Sequence, residues 1–292
     1  MHTVTSCEQM VSIARELHLA NRTIGFVPTM GALHEGHLSL MREARAHCDV
    51  LVVSIFVNPT QFGPAEDFKK YPRDLDSDAA LLIRESVDYL FAPTVADIYP
   101  PGFSTYVTVQ GLSEQLEGAS RQGHFRGVAT VVAILLNIVR PDVAFFGQKD
   151  AQQAAVLKRM VRDLAFGTKV VVLPIVREES RLALSSRNAY LTAEEKRAAT
   201  VLHRGLSRAA SAYENGERNG GRLIELVRST VAAEPLTRVD YVGLNDAETL
   251  EPLEQIGERP ALLSLAVFIG KTRLIDNVVL GQSQETVASA NA

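Results

Sequence analysis

Apolar positions in the first part of the chain alternate between helical spacing and short continuous runs. Residues 8–19 and 37–47 carry apolar side chains at intervals of three and four, which predicts two amphipathic helices. Between them, Thr23–Thr29 (TIGFVPT) is a short apolar run that predicts a buried strand. Val50–Val57 (VLVVSIFV) is continuous and β-branched, as in strands covered on both faces.

The same alternation continues to about residue 176. Further segments with helical spacing are 76–85, 128–139 and 150–165, and further strand-like runs are 87–92, 143–146 and 169–176. Strands that alternate with helices favour right-handed crossovers and a parallel sheet. We therefore predict an α/β fold with a doubly wound, Rossmann-like parallel sheet over residues 1–176.

The pattern changes after residue 176. Two long amphipathic segments, 192–214 and 220–233, predict helices, and they are followed by strand-like runs at 238–244, 261–268 and 273–279. Gly270-Lys271 separates the last two runs as a hairpin turn would. This order predicts a second, smaller α+β domain over residues 177–282, followed by a polar tail, 283–292, that we expect to be disordered.

Composition excludes several classes of protein. The 292 residues are 46% hydrophobic with a net charge of −4 and a pI near 6.0, which favours a globular chain and argues against nucleic-acid binding. Cys7 and Cys48 match no disulfide framework or zinc site. The longest apolar stretch, Val128–Val139, is shorter than the ~20 residues of a membrane span. With no apolar leader segment, we expect a soluble cytoplasmic protein without membrane partners.

The first candidate chemistry follows the first strand of the predicted sheet. The string PTMGALHEGH, Pro28 to His37, joins that strand to a helix, where α/β sheets bind ligands and where helix amides attract phosphates. His34 and His37 are one helical turn apart, so both rings can face the same way. A phosphate site is favoured; a metal site would need a third ligand, and no Cys/His/Asp cluster lies near in sequence.

Other strand ends carry polar residues as well. Gln61 follows the strand Val50–Val57, and its amide could bind the hydroxyls and carboxylate of a small acid; the alternative is an exposed turn glutamine. Lys149 follows the strand at 143–146 and suits a phosphate. Asp150 could cap the next helix, and it could also orient a ribose hydroxyl or Lys149.

Ser185-Ser186-Arg187 offers two hydroxyls and a planar guanidinium, which can grip a triphosphate. The alternative is an ordinary capped turn. Asp74, Asp76 and Asp78 lack the glycine and distal glutamate of a calcium loop, so we interpret them as the charged start of a helix. A single carboxylate there could still hold Mg²⁺ through water. For His124, lining of a substrate pocket and bonding to a loop carbonyl are equally open.

The strings identify a family resemblance over about residues 20–280. HxGH is shared by the nucleotidyltransferase superfamily, and PTMGALHEGH resembles the narrower pantoate–β-alanine ligase (pantothenate synthetase) family. Further strings that resemble this family, in chain order, are FVNPTQF (56–62), YPR (71–73), HFRGV (124–128), FGQKD (146–150), SSRN (185–188) and VFIGKTRLIDN (267–277).

The resemblance implies an AMP-forming ligase of the Rossmann-like HxGH class that condenses pantoate with β-alanine through a pantoyl adenylate, releasing pyrophosphate and AMP. It implies ATP as co-substrate with Mg²⁺ held mainly by the phosphates, a homodimer, and a second domain that closes over ATP. It assigns catalysis to His34, His37, Lys149 and Arg187, and substrate binding to Gln61 (pantoate and β-alanine) and Gln153 (pantoate). The residues that it assigns to ATP are Met30, Gly31, Ala32, Leu33, His34, Glu35, Gly36, His37, Gly147, Gln148, Lys149, Asp150, Val176, Leu184, Ser185, Ser186 and Arg187.

The chain departs from the usual family text at a few positions. Ser180-Arg181 stands where the family commonly has Asp-Gly, Leu184 replaces a methionine, and Ala151 replaces a frequent aromatic. Loss of the glycine removes a flexible joint beside the loop at Ser185, so loop dynamics are the property most affected. We expect activity to be retained.

Two other functions compete with the ligase. An HxGH nucleotidyltransferase with a phosphate substrate should carry extra basic residues where this chain has Gln61 and Gln153. A non-catalytic nucleotide sensor would bind ATP and release no pyrophosphate. The chain is short and lacks a basic tRNA-binding domain, which disfavours a class I aminoacyl-tRNA synthetase.

Overall fold

A computed structural model describes residues 1–64 and 66–281, and the tail predicted to be disordered lies outside these residues. The chain divides into two compact units. Among the described residues, the first unit comprises Met1–Glu114, Gly118–Gln148 and Val156–Pro174; the second comprises Gln115–Glu117, Lys149–Ala155 and residues 175–281.

This division differs from the predicted ranges 1–176 and 177–282 in two short segments and in the boundary, which lies after Pro174. Lys149–Ala155 groups with the second unit, since Asn277 Nδ2 donates to the Lys149 carbonyl at 3.0 Å. Gln115–Glu117 also groups with it, because Gln152 bonds to the main chain of both end residues. The functions assigned to the two domains stay predictions.

Strands alternate with helices up to residue 174, except that three helices follow one another before the fifth strand. In chain order they are β1 His2–Val4, α1 Cys7–Leu19, β2 Ile24–Thr29, α2 Glu35–His47, β3 Val50–Ile55, α3 Leu75–Arg84, β4 Tyr89–Phe91, α4 Val95–Ile98, α5 Glu117–Ser120, α6 His124–Val139, β5 Val143–Gly147, α7 Ala151–Asp163 and β6 Lys169–Leu173.

In the described part of the first unit, six strands form one sheet in the order β1-β4-β3-β2-β5-β6, and every neighbouring pair is parallel. The predicted doubly wound α/β sheet is confirmed. The chain runs from β2 outward through β3 to β4 and then returns to β5 on the other side of β2. This reversal is a topological switch point, and ligands bind outside the strand ends at such a point.

The central strands are buried because apolar side chains cover both faces. Residues Val50–Ser54 of β3 are all buried, and α2 packs on β2, β3 and β5. Leu38, Met41 and Ala44 form the buried face of α2. The continuous apolar runs in the sequence therefore correspond to strands that helices cover on both faces of the sheet.

Three short elements, β1, α4 and α5, were not predicted. β1 has three residues and pairs with β4 along the sheet edge, so it carries no period that a sequence could reveal. α6 begins at His124, four residues before the predicted Val128, because its first turn also buries Phe125.

The second unit contains α8 Ala193–Ala199, α9 Val201–Glu214, α10 Gly220–Ala232, β7 Thr237–Asp246, β8 Ala261–Ile269 and β9 Thr272–Leu280. In its described residues, the three strands form an antiparallel sheet in the order β7-β8-β9. Gly270 and Lys271 connect β8 to β9, and Gly270 takes a φ of +55°, as a tight hairpin turn requires. The predicted smaller α+β fold is confirmed.

The single helix predicted over 192–214 is wrong at Thr200. There the Thr200 amide donates to the Arg197 carbonyl at 3.3 Å, and the Thr200 hydroxyl donates to the same carbonyl at 2.8 Å. A side-chain hydroxyl that takes a helical carbonyl competes with the i→i+4 ladder. The apolar spacing continues across Thr200, so the sequence pattern alone suggested one helix.

A short hairpin precedes Ser185 and places Arg181 in an unusual backbone conformation. Arg177 and Ala183 form an antiparallel bridge, the Arg181 amide donates to the Glu178 carbonyl at 2.8 Å, and Arg181 has a φ of +73°. Hairpins of this length favour glycine at the left-handed position. Arg181 stands where the family that the chain resembles commonly has a glycine. The absence of that glycine here strains the turn.

Replacing Arg181 with glycine should stabilise the protein. The left-handed region costs a non-glycine residue about 1–2 kcal/mol, and the greater freedom of glycine in the unfolded chain offsets part of this gain. We expect Arg181→Gly to raise the free energy of unfolding by up to about 1 kcal/mol, measured by chemical denaturation. Glu179→Gly on the same turn is the control, and it should lower stability because the φ of Glu179 is not positive. Equal losses in both variants would contradict the strain at Arg181.

Candidate active site

The HxGH loop leaves the carboxyl end of β2, next to the switch point. His34 is the N-cap residue of α2 and has extended backbone angles, φ −142° and ψ 172°. Before it, Gly31 and Ala32 take positive φ values of +80° and +52°. Consecutive left-handed residues turn the chain sharply and leave the loop amides accessible for bonding.

A buried carboxylate, that of Asp78, accepts hydrogen bonds from the main chain of this loop. Asp78 on α3 is 4% exposed, and its Oδ2 and Oδ1 accept from the amides of Ala32 at 2.9 Å and Leu33 at 2.8 Å. A Cβ atom on Gly31 would lie 2.7 Å from Asp78 Oδ2, so the loop approaches the carboxylate too closely for any side chain at Gly31. Burial raises the pKa of the Asp78 carboxyl although the two amides act in the opposite direction.

Sequence reasoning missed this role of Asp78. Asp74 does cap α3, where its Oδ1 accepts from the Ser77 amide at 3.0 Å, and Asp76 is exposed in the first turn. The predicted charged start of a helix is therefore confirmed, with Asp74 as the cap and Asp76 and Asp78 in the first turn. Asp78 follows Asp74 by four residues, about one helical turn, and faces inward. This spacing was the only feature of the sequence that could have indicated its role.

The two histidines of the motif lie side by side. Their ring centroids are 4.1 Å apart with planes inclined at 32°, and the His34 amide donates to His37 Nδ1 at 3.3 Å. Because a main-chain amide can only donate, His37 Nδ1 is the acceptor and the ring hydrogen lies on Nε2. His37 therefore offers an N–H donor, which suits phosphate oxygens. Among the described residues, no group of three or more His, Cys, Asp or Glu side chains could hold a metal ion.

Gln61 lies at the end of a short 3₁₀ helix, Pro59–Gln61, after β3. It is 9% exposed, so the alternative of an exposed turn glutamine is wrong. Its Oε1 accepts from Asn58 Nδ2 at 3.1 Å, and its Nε2 lies 3.0 Å from Met30 Sδ in the HxGH loop. The structure thus brings together two strand-end segments that are about 30 residues apart in sequence.

His124 holds the main chain of Gln61. Its Nδ1 lies 2.8 Å from the Gln61 carbonyl, and its Nε2 lies 3.0 Å from Arg121 Nη1. Since a guanidinium only donates, Nε2 accepts and Nδ1 carries the hydrogen. Arg121 is fixed in turn by Glu66 through bonds of 2.8 and 2.7 Å. Of the two alternatives for His124, the bond to a loop carbonyl is observed.

Asn58 is a further residue that the sequence interpretation left without a role. It is 1% exposed and donates to both Gln61 Oε1 and the Gly127 carbonyl, each at 3.1 Å. The Tyr99 hydroxyl donates to its Oδ1 at 2.8 Å. A buried amide with its bonds satisfied is rigid, so Asn58 fixes the orientation of the Gln61 side chain.

Several predicted phosphate residues lie in the second unit. Lys149 and Asp150 end a 3₁₀ turn, Gln148–Asp150, and their side chains are 3.7 Å apart, Nζ to Oδ1. Ser185 caps a 3₁₀ helix, Ser186–Tyr190, and its Oγ accepts from the Arg187 amide at 3.3 Å. The capped turn is therefore present, and it leaves the proposed phosphate role of the segment open.

The two glutamines at the start of α7 differ. Gln152 is 5% exposed; its Nε2 donates to the Gln115 carbonyl at 2.7 Å and its Oε1 accepts from the Glu117 amide at 2.9 Å. Gln153 is half-buried. Gln152 thus fastens a neighbouring segment, and Gln153 is the one that the resemblance assigns to pantoate.

The predicted site residues fall into two groups by unit. Those of the first unit are Met30, Gly31, Ala32, Leu33, His34, Glu35, Gly36, His37, Gln61, Gly147 and Gln148; those of the second are Lys149, Asp150, Gln153, Val176, Leu184, Ser185, Ser186 and Arg187.

No helix in the described ranges, 1–64 and 66–281, is long and apolar enough to span a membrane.

Comparison with known proteins agrees with these motifs. A family model described as pantoate–β-alanine ligase matches residues 2–279. The pantothenate synthetase of Pelotomaculum thermopropionicum is 55% identical over 282 residues, which cover 97% of this chain and 100% of the relative. That of Acidobacterium capsulatum is 59% identical over 262 residues, covering 90% and 87%.

Solved structures show the same fold. The pantothenate synthetase of Thermus thermophilus has a TM-score of 0.89 and 46% identity, covering 95% of this chain and 99% of its own. The pantoate–β-alanine ligase of Francisella tularensis, described as complexed with beta-gamma ATP and beta-alanine, has a TM-score of 0.78 and 36% identity, covering 97% and 99%.

Removal of one Asp78 oxygen should loosen the HxGH loop. Asp78→Asn keeps the side-chain shape and places an amide group against one of the two loop N–H donors, which leaves a buried donor without its acceptor. We expect the free energy of unfolding to fall by about 1–3 kcal/mol and hydrogen exchange of the Ala32 and Leu33 amides to accelerate. Asp74→Asn on the same helix is the matched control, since asparagine caps as well as aspartate. Unchanged exchange at Ala32 and Leu33 in Asp78→Asn would contradict the clamp.

Proposed function

The chain belongs to the pantoate–β-alanine ligase family, and from this premise we propose that it condenses pantoate with β-alanine in an ATP-dependent reaction through a pantoyl adenylate. One observation supports the site assignment most strongly: Gln61 Nε2 lies 3.0 Å from Sδ of Met30 in the HxGH loop, the loop that also carries His37 with its Nε2–H donor. The two segments leave the neighbouring strands β2 and β3. An N–H group that can donate to phosphate oxygens and a buried amide that can bind hydroxyls suit the adenylation of a hydroxylated acid.

In the first step, a carboxylate oxygen of pantoate attacks the α-phosphorus of ATP. The new bond joins that oxygen to phosphorus, and the bond to the β-phosphate oxygen breaks, so that pyrophosphate leaves. We assign stabilisation of the triphosphate and of the leaving pyrophosphate to His34, His37, Lys149 and Arg187, with Ser185 and Ser186. Fixed donors directed at developing charge provide the main catalytic effect.

In the second step, the neutral amine of β-alanine attacks the acyl carbon of the adenylate. The carbon–nitrogen bond forms, the bond to the phosphate oxygen breaks, AMP leaves and the nitrogen loses a proton. Because both nucleophiles belong to the substrates, the protein supplies no covalent intermediate. Its contribution is the positioning of the reacting groups and the stabilisation of charge.

Substrate selection rests on amides in this proposal. Gln61 contacts pantoate and β-alanine, and Gln153 contacts pantoate. An amide offers both a donor and an acceptor, which suits hydroxyls and a carboxylate. The Francisella tularensis ligase, described as a complex with beta-gamma ATP and beta-alanine, supports β-alanine and ATP as substrates.

Magnesium enters with ATP in this proposal and is held mainly by its phosphates, as Mg²⁺ usually is in enzymes of nucleotide chemistry. The remaining ATP contacts are those that the family resemblance assigned, from Met30–His37, Gly147–Asp150, Val176 and Leu184–Arg187. The homodimer and the cytoplasmic location likewise stay predictions from the sequence.

A pyrophosphate-release assay tests the proposed reaction. With ATP, Mg²⁺ and pantoate, we expect pyrophosphate to form, and AMP to appear only when β-alanine is added. Release with another acid and none with pantoate would overturn the substrate assignment. ATP binding without any pyrophosphate release would favour the nucleotide sensor, and release with a phosphate substrate would favour the other HxGH class.

The proposed role of His37 predicts a loss in the first step. His37→Ala removes the Nε2–H donor, and loss of one donor to developing charge costs about 10²- to 10³-fold in kcat. We expect a decrease of this size in pantoate-dependent pyrophosphate release. His47→Ala on the same helix is the matched control, because His47 is exposed at the opposite end of α2 and should turn over normally. Wild-type turnover in His37→Ala would refute the assignment of this site.

A further inference from the structure

Two buried polar residues in β9, Asp276 and Asn277, belong to the string VFIGKTRLIDN, for which the proposed function has no role. They are 3% and 4% exposed, and they pair with Leu265 and Ser264 in the central strand β8. Polar side chains in such a position are costly unless they are hydrogen-bonded. Their bonding partners therefore indicate why polar residues occupy these positions.

Asn277 bonds to the main chain of Lys149, the lysine assigned to phosphate binding. Its Nδ2 donates to the Lys149 carbonyl at 3.0 Å. Lys149 lies in the 3₁₀ turn Gln148–Asp150, and its side chain is 20% exposed. A bond from a rigid strand to this carbonyl fixes the position of the Lys149 backbone, from which the ammonium group extends.

Asp276 bonds to the other phosphate segment through Arg177. Arg177 Nη1 and Nη2 donate to Asp276 Oδ2 and Oδ1 at 2.7 and 2.9 Å, which is the bidentate geometry of strong carboxylate pairs. Arg177 Nη1 also donates to the Arg181 carbonyl at 3.2 Å. The hairpin that Arg177 and Ala183 close leads directly into Ser185.

Asp276 and Asn277, the two anchoring residues, are also fixed relative to each other. Asp276 Oδ1 accepts from the Asn277 amide at 2.8 Å, so the carboxylate cannot rotate freely. Lys149 and the hairpin at Arg177 are far apart in sequence, and adjacent residues of one strand hold both. Lys149 and the Arg177 hairpin are therefore both bonded to the same point of β9.

We propose that Asp276 and Asn277 are positioning residues for ATP, which hold Lys149 and the Ser185–Arg187 segment at the separation that the triphosphate requires. This inference rests on the proposed function, in which these segments bind the triphosphate. The proposed function assigns pantoate to Gln61 and Gln153 rather than to Lys149 or Ser185–Arg187, so we expect pantoate binding to depend less on this separation. Loss of either anchor should therefore weaken the use of ATP selectively.

The chain offers matched controls on β7 of the same sheet. Asn245 is 3% exposed and donates to the Leu250 carbonyl at 2.7 Å, as Asn277 does to Lys149. Asp246 is 6% exposed and accepts from the amides of Glu248 and Thr249, each at 2.9 Å. Both resemble the β9 pair in burial and bonding, and their main-chain partners lie outside the phosphate segments.

The test measures KM for ATP and for pantoate in the pyrophosphate-release assay. We expect Asn277→Ala and Asp276→Asn to raise KM for ATP by about tenfold or more, as the loss of one buried hydrogen bond allows, with KM for pantoate nearly unchanged. Asn245→Ala and Asp246→Asn should leave KM for ATP within about twofold of wild type. Equal effects in the two pairs, or equal changes in both KM values, would overturn the positioning role and indicate general stabilisation.

A milder variant keeps the test decisive if the β9 variants do not fold. Arg177→Lys retains the charge opposite Asp276 and loses the bidentate geometry, so KM for ATP should still rise relative to KM for pantoate. An unchanged ratio of the two values in this variant would contradict the inference. The wild-type protein separates the two proposals: without pantoate-dependent pyrophosphate release the proposed function fails, whereas normal release with unaffected variants removes only the positioning role.

Discussion

The bonds from the Asp78 carboxylate to the amides of Ala32 and Leu33 are the interaction on which the HxGH site depends. The loop contains left-handed residues, including a non-glycine one, that an isolated chain would not hold. A buried acceptor that satisfies two consecutive amides makes this shape favourable. The cost of burying the carboxylate appears in its raised pKa, which is typical of groups retained at functional sites.

The same arrangement recurs at the other loops that carry candidate chemistry. Asn58 and His124 fix the side chain and the main chain of Gln61, and Asn277 fixes the main chain of Lys149. In each case a polar side chain bonds to a group in a loop or tight turn. Loops at strand ends have few apolar contacts of their own, so such hydrogen bonds determine their geometry.

The sequence predicted the architecture well because apolar periodicity reflects which faces are buried. The parallel sheet followed from runs such as Val50–Val57, and the hairpin at Gly270-Lys271 followed from its turn residues. The break at Thr200 was missed because the local competition of a hydroxyl for a helical carbonyl leaves the apolar spacing intact. The strand His2–Val4 was missed because three residues at a sheet edge show no period.

The sequence by itself determined the fold class, the family and the residue types with candidate chemistry, since these depend on periodicity and on unbroken strings such as His34-Glu35-Gly36-His37. Only the tertiary structure decided that Asp78 bonds to the HxGH loop, that His124 bonds to the Gln61 carbonyl, and that Asp276 and Asn277 hold two distant segments. These contacts join residues between 45 and about 130 positions apart. Local spacing carries no information about such pairs, because they form only when the sheet and its helices bring their partners together.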